Sequence, residues 1–190
     1  MNDQELVRSV ISGNEKAFQV LVEQHQQMVL NTCMGLVHQR NDAEDLAQEV
    51  FVEVYRSLAG FRSDSKLSTW IYRIAINRSL NFIRDNKRRK LFRSFEAIFG
   101  QGQPNVPSEN WSDRPDRGLE NKQRRERLHA AIDSLSERQR VAFTLSKFED
   151  LPYQDIAEVM GLSLASVESL IHRAKLNLQK KLYTYYKKDE

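Results

Sequence analysis

The sequence predicts an all-α fold, in which two small helical domains are joined by a flexible linker and the C-terminal domain contains a helix-turn-helix. Three observations predict this fold. Apolar residues recur at helical spacing in almost every periodic segment. No segment alternates convincingly between apolar and polar residues, and no Asn-Gly hairpin signal is visible. Residues 100–115 contain three prolines, two glycines and many small polar residues, a composition typical of linkers.

The composition indicates a soluble intracellular protein. The chain has 190 residues, enough for two small domains, with 29% charged and 40% hydrophobic residues. Its N-terminus lacks the features of a signal peptide, and no apolar run approaches the roughly 20 residues that a membrane span needs. The single cysteine, Cys33, lies in an apolar run, so we expect a buried thiol, no disulfide and a cytoplasmic location.

Capping and breaking residues divide the N-terminal part of the chain into four helices. Gly13 ends the first helix, Asn14 caps the second, and Asn41 with Glu44 has the spacing of a capping box for the third. Gly60 is expected to end the third helix in a left-handed conformation. The first, third and fourth helices are predicted at 3–12, 42–58 and 68–90.

Helical periodicity resumes near Leu119, after the linker. An apolar stripe ends at Leu135, and Ser136 with Gln139 then has the pattern of a capping box that opens the next helix. We therefore divide the chain into an N-terminal domain at 1–93, a linker at 94–118 and a C-terminal domain at 119–190.

Residues 152–175 have the pattern of a helix-turn-helix. Ala157 is small enough for close helix packing, Gly161 tolerates the positive φ of the turn, and Ser163 can cap the second helix. This arrangement turns a polar side of the second helix toward a DNA groove. That side consists of Ala165, Ser166, Glu168, Ser169, His172 and Arg173, with Lys175 placed for phosphates. A three-helix domain that binds protein is the alternative.

The helix at 68–90 has a core side and a polar side. Its polar side consists of Arg73, Asn77, Asn81, Arg84 and Arg88, and its core side of Ile71, Ile74, Ala75 and Phe82. Asparagine is a poor helix former, but its amide can bond a base edge while arginines hold phosphates. The polar loop at 61–68 is suited to hold an unstacked base. Trp70 is expected in the core, and the role of Tyr72 stays open.

The helix at 42–58 is acidic on its outer side. Asp45, Gln48, Glu49, Val52 and Glu53 lie away from the centre of its apolar stripe. Because an acidic surface repels DNA, a basic protein partner is the preferred hypothesis over a solvated face. Cations cluster instead at 84–93, and the isoelectric point is about 9.0 although the net charge is only +3.

No motif for bond chemistry is visible in the sequence. It has no P-loop, no Gly-rich phosphate cradle and no Ser/His/Asp arrangement. His172 has no second ligand at helical spacing, and Cys33 has no partner in a zinc motif. We therefore expect neither an enzyme nor a cofactor or metal site.

Together, these segments resemble sigma factors of the extracytoplasmic function group, the minimal members of the main bacterial sigma family. The resemblance covers nearly the whole chain. Its most specific part is the spacing between Phe-Arg-x-Asp-Ser at 61–65 and Trp-Ile-Tyr-Arg-Ile-Ala-Ile-Asn at 70–77. It implies a protein that directs core RNA polymerase to specific promoters and initiates DNA melting, binding both duplex and single-stranded non-template DNA.

The resemblance also assigns roles to three sets of residues. The helix at 42–58 is similar to the one that docks on the largest polymerase subunit through Asp45, Gln48, Glu49, Val52 and Glu53. The segment at 61–90 is similar to the one that melts and binds the −10 element. Its contact residues would be Phe61, Asp64, Ser65, Lys66, Arg73, Asn77, Asn81, Arg84 and Arg88. The −35 element would be bound by Ser166, Glu168, Ser169, His172, Arg173 and Lys175.

The resemblance further implies control by a separate anti-sigma factor, since the chain ends soon after the helix-turn-helix. Direct membrane insertion is not expected, although a membrane-bound anti-sigma factor would hold the protein at the inner membrane. Glu168 stands where many relatives carry a basic residue, so their promoter preference does not transfer. The alternative function is a helix-turn-helix regulator of duplex DNA that has an N-terminal dimerisation domain and is no polymerase subunit.

Overall fold

A computed structural model of the chain describes residues 2–99, the N-terminal half, and 117–187, the C-terminal half. Every regular element within these ranges is helical, which confirms the predicted fold class. The helices are α1 (Asp3–Ile11), α2 (Glu15–Val37), α3 (Arg40–Ser57), α4 (Leu67–Phe99), α5 (Arg117–Asp133), α6 (Glu137–Lys147), α7 (Tyr153–Met160) and α8 (Leu164–Tyr186). A short 3-10 turn, Leu58–Gly60, follows α3.

The helix starts follow the predicted capping chemistry at Asn14 and Ser163, in part at Ser136 and not at Asn41. The Ser136 hydroxyl accepts from the Gln139 amide, but the Gln139 side chain bonds Asn177 and does not complete the expected capping box. Asn14 caps α2 by accepting a backbone hydrogen bond at 3.2 Å, and Ser163 caps α8 in the same way. The capping box expected for Asn41 and Glu44 is wrong, because α3 begins before Asn41 and places that residue inside its first turn. Glu44 instead pairs with Arg40, whose Nε lies 2.7 Å from Glu44 Oε1.

Glycines mark the expected turns at Gly13 and Gly161, which have φ values of 89° and 63°. The left-handed conformation expected for Gly60 is wrong: this residue closes the 3-10 turn after α3 without a positive φ. The end of α2 had no glycine to signal it. There, His38 adopts φ 65° and its amide bonds the Met34 carbonyl.

The fourth helix is longer than predicted. It begins at Leu67 and runs to Phe99, nine residues past Lys90, and so enters the predicted linker. No glycine or proline interrupts residues 91–99, so the chain has no breaker before Gly100. Residues 117 and 118 of the expected linker belong to α5, and its remaining residues, 100–116, lie outside the described residues.

The N-terminal half has its own core, as its apolar periodicity predicts. Leu21 of α2, Val50 of α3 and Ile71 of α4 are completely buried in it. Cys33 is buried with them, and this burial raises the pKa of its thiol to about 11. A carboxylate oxygen of Asp3 accepts a hydrogen bond from the first amide of α4 at 3.3 Å, which fixes the start of that helix.

A second apolar core joins the two halves directly. Leu36, Tyr72 and Ile76 of the N-terminal half pack with a cluster from α6, α7 and α8 that includes Leu145 and Ile156. All five of these side chains are buried. The two sets of helices therefore form one packed unit in this structure, which the linker composition did not indicate.

Gly35 marks a close approach of α2 to α6. Thr144 Oγ1 donates a hydrogen bond to the Gly35 carbonyl at 3.3 Å. A Cβ atom at Gly35 would lie 2.6 Å from Thr144 Cγ2 and 3.3 Å from Phe148 Cδ2. Since real Cβ atoms do not approach a methyl group so closely, any larger residue would require the Thr144 side chain or the two helices to shift.

Candidate nucleic-acid interface

The acidic side of α3 is accessible. We call Asp45, Gln48, Glu49, Val52 and Glu53 the acidic face; Glu53 is half-buried and the others are exposed. The α4 residue Arg78, which the sequence pattern did not mark, lies beside this face. Its Nη2 is 2.7 Å from Glu53 Oε2, and its Nη1 is 3.9 Å from Glu49 Oε2. Arg78 thus connects α4 to the acidic face and neutralises part of its charge.

An apolar groove of about 570 Å³ borders the acidic face. Val52 and Tyr55 form its outer wall and are 49% and 55% exposed. The Phe18 ring lies inside, with its centroid 5.0 Å from that of Tyr55 in an edge arrangement. Acidic groups beside exposed apolar surface suit a protein partner better than they suit DNA.

The polar side of α4 forms as predicted. We call Arg73, Asn77, Asn81, Arg84 and Arg88 the α4 polar face, and all five are exposed. The buried Ile71 and Ala75 lie on the core side of the same helix. Helical periodicity alone therefore placed these amides and guanidinium groups on one surface.

Arg73 is bound to the C-terminal half. Its Nε donates to the Val159 carbonyl at 3.1 Å and its Nη2 to the Glu158 carbonyl at 2.6 Å. Both carbonyls belong to the last turn of α7, where helix carbonyls lack helical partners and carry partial negative charge. The guanidinium group of Arg73 therefore caps the C-terminus of α7.

Two further predicted −10 residues form ion pairs with the C-terminal half. Arg84 donates two hydrogen bonds to the carboxylate of Glu137, at 2.9 and 2.7 Å, and this contact lowers the pKa of Glu137. Lys66 Nζ lies 3.4 Å from Asp155 Oδ1. Because these pairs are substantially exposed, water and salt screen them, and they orient the halves more than they stabilise them.

Asn77 lines a cleft between the halves. The cleft has a volume of about 350 Å³, and its other walls include Arg73, Glu137, Arg138 and Gly161. Asn81 lies one turn further along α4 and accepts a hydrogen bond from Arg84 Nη1 at 3.1 Å. The amide of Asn77 is therefore close to the C-terminal half and separated from it only by this cleft.

The loop before α4 has a mixed character. Phe61 is half-buried, and its ring centroid lies 5.3 Å from that of Trp70, so both aromatic groups pack against the core as predicted for Trp70. Asp64 is exposed and Ser65 half-buried. Ser63, directly before Asp64, adopts φ 60°, which turns the chain sharply before the helix.

Tyr72, whose role the sequence left open, lies at the junction of the halves. Its side chain is 6% exposed, and its hydroxyl donates a hydrogen bond to Glu149 Oε2 at 2.9 Å. Burial raises the pKa of Tyr72 strongly, and the negative charge of Glu149 raises it further. The neutral phenol is therefore a permanent donor in this contact.

The helix-turn-helix forms as predicted, from α7, a left-handed turn at Gly161 and α8. Ala157 and Val167 are buried where the two helices pack. We call Ser166, Glu168, Ser169, His172, Arg173 and Lys175 the α8 polar face, and all six are exposed. Arg173 Nε donates to the Ser169 carbonyl one turn earlier, at 3.2 Å.

A histidine cluster that no sequence pattern indicated connects the end of α2 to the end of α5. The rings of His38 and His129 stack with centroids 4.3 Å apart. His38 Nε2 lies 3.3 Å from Asp133 Oδ1, and Arg140 Nη1 lies 3.1 Å from the same oxygen. Arg140 is 3% exposed and also donates to the Asp133 carbonyl at 2.5 Å.

Within the described residues, no group of three or more His, Cys, Asp or Glu side chains is placed to hold a metal ion. The same part of the chain contains no helix with both the length and the apolar character needed to cross a bilayer. The charged groups are arranged instead in surfaces and ion pairs.

Comparison with known proteins matches both halves to one family. Residues 21–89 match sigma-70 region 2, and residues 125–178 match sigma-70 region 4. The RNA polymerase sigma-H factor of Pseudomonas aeruginosa is 37% identical over 183 residues, covering 95% of this chain and 93% of that protein. The ECF RNA polymerase sigma-E factor of Haemophilus influenzae is 33% identical over 182 residues, covering 96% of both chains.

A solved structure supports the fold. The sigma factor RpoE of Bartonella quintana, determined in complex with the anti-sigma factor NepR, aligns with a TM-score of 0.59 and 21% identity. The alignment covers 88% of this chain and 98% of that chain. The region 2 match lies in the half that the alternative hypothesis treats as a dimerisation domain, so it favours the sigma factor over a regulator of duplex DNA alone.

Proposed function

The chain belongs to the extracytoplasmic function group of the sigma-70 family of RNA polymerase sigma factors, and from that premise we propose how its surfaces divide promoter recognition. The observation that carries the proposal is the presence of three exposed surfaces of different chemistry on one chain. They are the acidic face with its apolar groove, the α4 polar face and the α8 polar face.

The acidic face and its groove dock on core polymerase. Asp45 and Glu49 are exposed carboxylates that attract a basic partner, while Val52 and Tyr55 offer apolar area to bury. DNA is a poor candidate for this surface, because its phosphates would meet carboxylates.

The α4 polar face binds and melts the −10 element. Asn77 supplies the amide for an unstacked non-template base, while Arg73, Arg84 and Arg88 hold the strand phosphates. Asp64, Ser65 and Lys66 form the wall of the base site, and Asn81 lies beside it. Phe61 contributes by packing on Trp70 and so shaping the loop, in place of a direct contact.

The α8 polar face binds the −35 element as duplex. Small side chains at Ser166 and Ser169 allow close approach of the helix to the base edges, and Arg173 and His172 can donate to guanine or to phosphate. Glu168 can accept from a cytosine amino group. The cation of Lys175 lies three residues after His172 on the same helix, where phosphate is the expected partner.

Promoter melting requires the two halves to separate. Lys66, Arg73 and Arg84 each have a partner in the C-terminal half, and these partners compete with nucleic acid for the same cations. Two events replace the contacts of these cations with the C-terminal half: docking of the acidic face on polymerase and binding of α8 to the −35 element. The free-energy cost of opening the duplex is then offset by capture of an unstacked base. The protein itself makes or breaks no covalent bond.

The protein acts in the cytoplasm, where polymerase and promoters are found, and an anti-sigma factor holds it inactive. Support for that partner is the Bartonella quintana sigma factor, which was solved in complex with one. The exposed groove beside Val52 is suited to an apolar segment of such a partner.

Transcription with purified core polymerase tests the proposal. Core plus this protein should start specific RNA from a subset of a promoter library, and core alone should not. The double substitution Asp45→Lys, Glu49→Lys reverses the charge of the acidic face. It should lower the affinity for core polymerase at least about tenfold, because attraction to a basic partner becomes repulsion. The control is Glu23→Lys with Glu126→Lys, which makes the same change in net charge elsewhere. Equal core binding by both double variants would refute the docking face.

A further inference from the structure

The carboxylates of the acidic face form a row along α3. Asp45, Glu49 and Glu53 are spaced four residues apart, so they lie at successive turns on the same side of the helix. Like charges at this spacing repel each other. The guanidinium group of Arg78, on the neighbouring α4, lies against one end of the row. The row is therefore partly neutralised at its Glu53 end.

The three carboxylates differ in their contacts with Arg78. Its Nη2 donates a hydrogen bond to Glu53 Oε2 at 2.7 Å, whereas its Nη1 lies 3.9 Å from Glu49 Oε2, a distance that permits only a loose ion pair. Asp45 is exposed, and it forms no ion pair within residues 2–99 and 117–187. The negative potential of the face is therefore strongest near Asp45 and weakest near Glu53.

A basic partner that docks on the acidic face must share these carboxylates with Arg78. Arg78 and Glu53 are half-buried and Glu49 is exposed, so a partner's cations can reach the pairs. Ion pairs in contact with water are weak, so they exchange partners readily. The positive charge of Arg78 also reduces the attraction of the face for other cations. Arg78 therefore opposes docking electrostatically, although it connects α3 to α4.

We propose that Arg78 is an internal competitor for the acidic face and that it lowers the affinity of this protein for core polymerase. This inference rests on the proposed docking of the acidic face. Glu53 then serves mainly to hold Arg78, and the direct polar contacts with polymerase are made by Asp45 and Glu49. The charge of Arg78 thus holds the docking affinity below the level that the carboxylates alone would give.

Core binding by Arg78→Gln tests this competition. At about 0.1 M salt, the variant should bind core polymerase about threefold more tightly than the unsubstituted protein, because a positive charge is removed from an acidic surface. Faster association should account for most of the gain, and about 0.5 M salt should abolish it. Arg78→Lys keeps the charge and should bind nearly as the unsubstituted protein does.

A purely structural role for Arg78 predicts a change of the opposite sign. Loss of the connection between α3 and α4 would lower both the Tm and the core affinity, whereas competition predicts that affinity rises even where the Tm falls. In a background of Glu49→Gln with Glu53→Gln, Arg78→Gln should give little gain, because the carboxylates for which Arg78 competes are absent. The matched control is Lys122→Gln, which removes an exposed cation from α5 and should leave core affinity unchanged.

Two results would overturn the inference. One is a core affinity of Arg78→Gln at or below that of the unsubstituted protein. The other is a gain of equal size in the absence of Glu49 and Glu53, or in Lys122→Gln, which would make it an effect of net charge alone. Failure of the proposed docking face is visible separately, because the double substitution Asp45→Lys, Glu49→Lys would then leave core binding unchanged.

Discussion

The two surfaces proposed to bind nucleic acid differ in the contacts that the rest of the chain makes with them. On the α4 polar face, Arg73 and Arg84 are bonded to the C-terminal half and Asn77 faces a narrow cleft. On the α8 polar face, Arg173 donates its hydrogen bond to Ser169, a residue of its own helix. In this arrangement, two arginines of the face proposed for single-stranded DNA are bonded to the other half of the chain although the face is exposed, whereas the face proposed for duplex DNA is exposed and Arg173 is bonded only to its own helix among the described residues.

The α4 and α8 polar faces differ because tertiary packing places different groups opposite each of them. Arg73 and Arg84 of α4, and Lys66 directly before it, lie near acids or near the carbonyl end of α7, so these cations find partners inside the protein. α8 buries one side against α5 and α6 and leaves its polar side to solvent. The comparison suggests an order of events, in which duplex contact precedes capture of a melted strand.

Separating the halves should produce the largest effect. Leu36→Asp places a carboxylate in the apolar core between the halves, where Leu36 is 1% exposed, and should destabilise their contact by about 3 kcal/mol or more. Affinity of the free protein for a single-stranded −10 oligonucleotide should rise. Energy transfer between labels on α1 and α8 would report the opening.

The control for this substitution is Ile11→Asp, at an apolar residue of α1 that is 52% exposed. It should alter neither energy transfer nor oligonucleotide binding. Halves that separate in Leu36→Asp without any gain in oligonucleotide affinity would show that the contacts do not limit strand binding.

Asn77→Ala tests the α4 polar face directly. Loss of one bidentate base contact should weaken open-complex formation by about 1–3 kcal/mol and leave core affinity unchanged. Asn86→Ala is the matched control, because Asn86 lies on the opposite side of the same helix. Equal losses of core binding and melting for Asn77→Ala would contradict its role in base capture.

Arg173→Ala tests the accessible surface. We expect a loss of about 1 kcal/mol in −35 duplex binding, at the low end of the range for a base contact, because this group is exposed to water. Since the α8 polar face is not covered, the loss should be the same with and without Leu36→Asp. A much larger loss in the opened variant would mean that the closed arrangement also limits duplex binding.

The smallest effect should be a response to pH at the histidine cluster. Burial lowers the pKa of His129 below its ordinary value of 6.5, as do the positive charges of His38 and Arg125, while Asp133 and Glu126 oppose them. The closed arrangement therefore binds fewer protons at His129 than the open one. Closure should be favoured above pH 6.5 and should weaken as the pH falls through that value.

Energy transfer measured from about pH 7.5 to about pH 5.5 checks this sign. His129→Asn should flatten the response. His25→Asn is the control: burial also lowers the pKa of His25, but that residue belongs to the N-terminal half and lies outside the contact. A fall in pH that tightens the contact would refute the assignment to His129. The pKa of Asp133 is lowered too, but its titration lies below the pH range measured.

Local chemistry made much of this protein predictable from sequence. The helix-turn-helix depends on Gly161, Ser163 and the spacing of buried residues, all within one short segment. The α4 polar face depends on the helical period alone. Where two nearby residues could start a helix, prediction failed: Asn41 was expected to cap α3, but Gln39 is the N-cap and α3 begins at Arg40.

Contacts between distant parts of the chain could not be predicted in this way. The bond from Arg73 to Val159 joins residues 86 apart, and that from Tyr72 to Glu149 joins residues 77 apart. The periodicity shows only that Arg73 is on a polar side and that Tyr72 borders a core. Whether a polar side meets solvent, DNA or another helix is decided by tertiary packing, which also gave Arg78 and Arg138 their neighbours.

The hydrogen at the α-carbon of Gly35 has a consequence for relatives of this protein. A Cβ atom at this position would lie 2.6 Å from Thr144 Cγ2, so a larger residue at 35 requires the Thr144 side chain or the two helices to move. We therefore expect relatives with a bulkier residue at the equivalent position to pack α2 and α6 differently from this protein. This single position lies away from every proposed contact with DNA or polymerase. We expect its residue type to indicate how closely α2 and α6 pack in other members of the group.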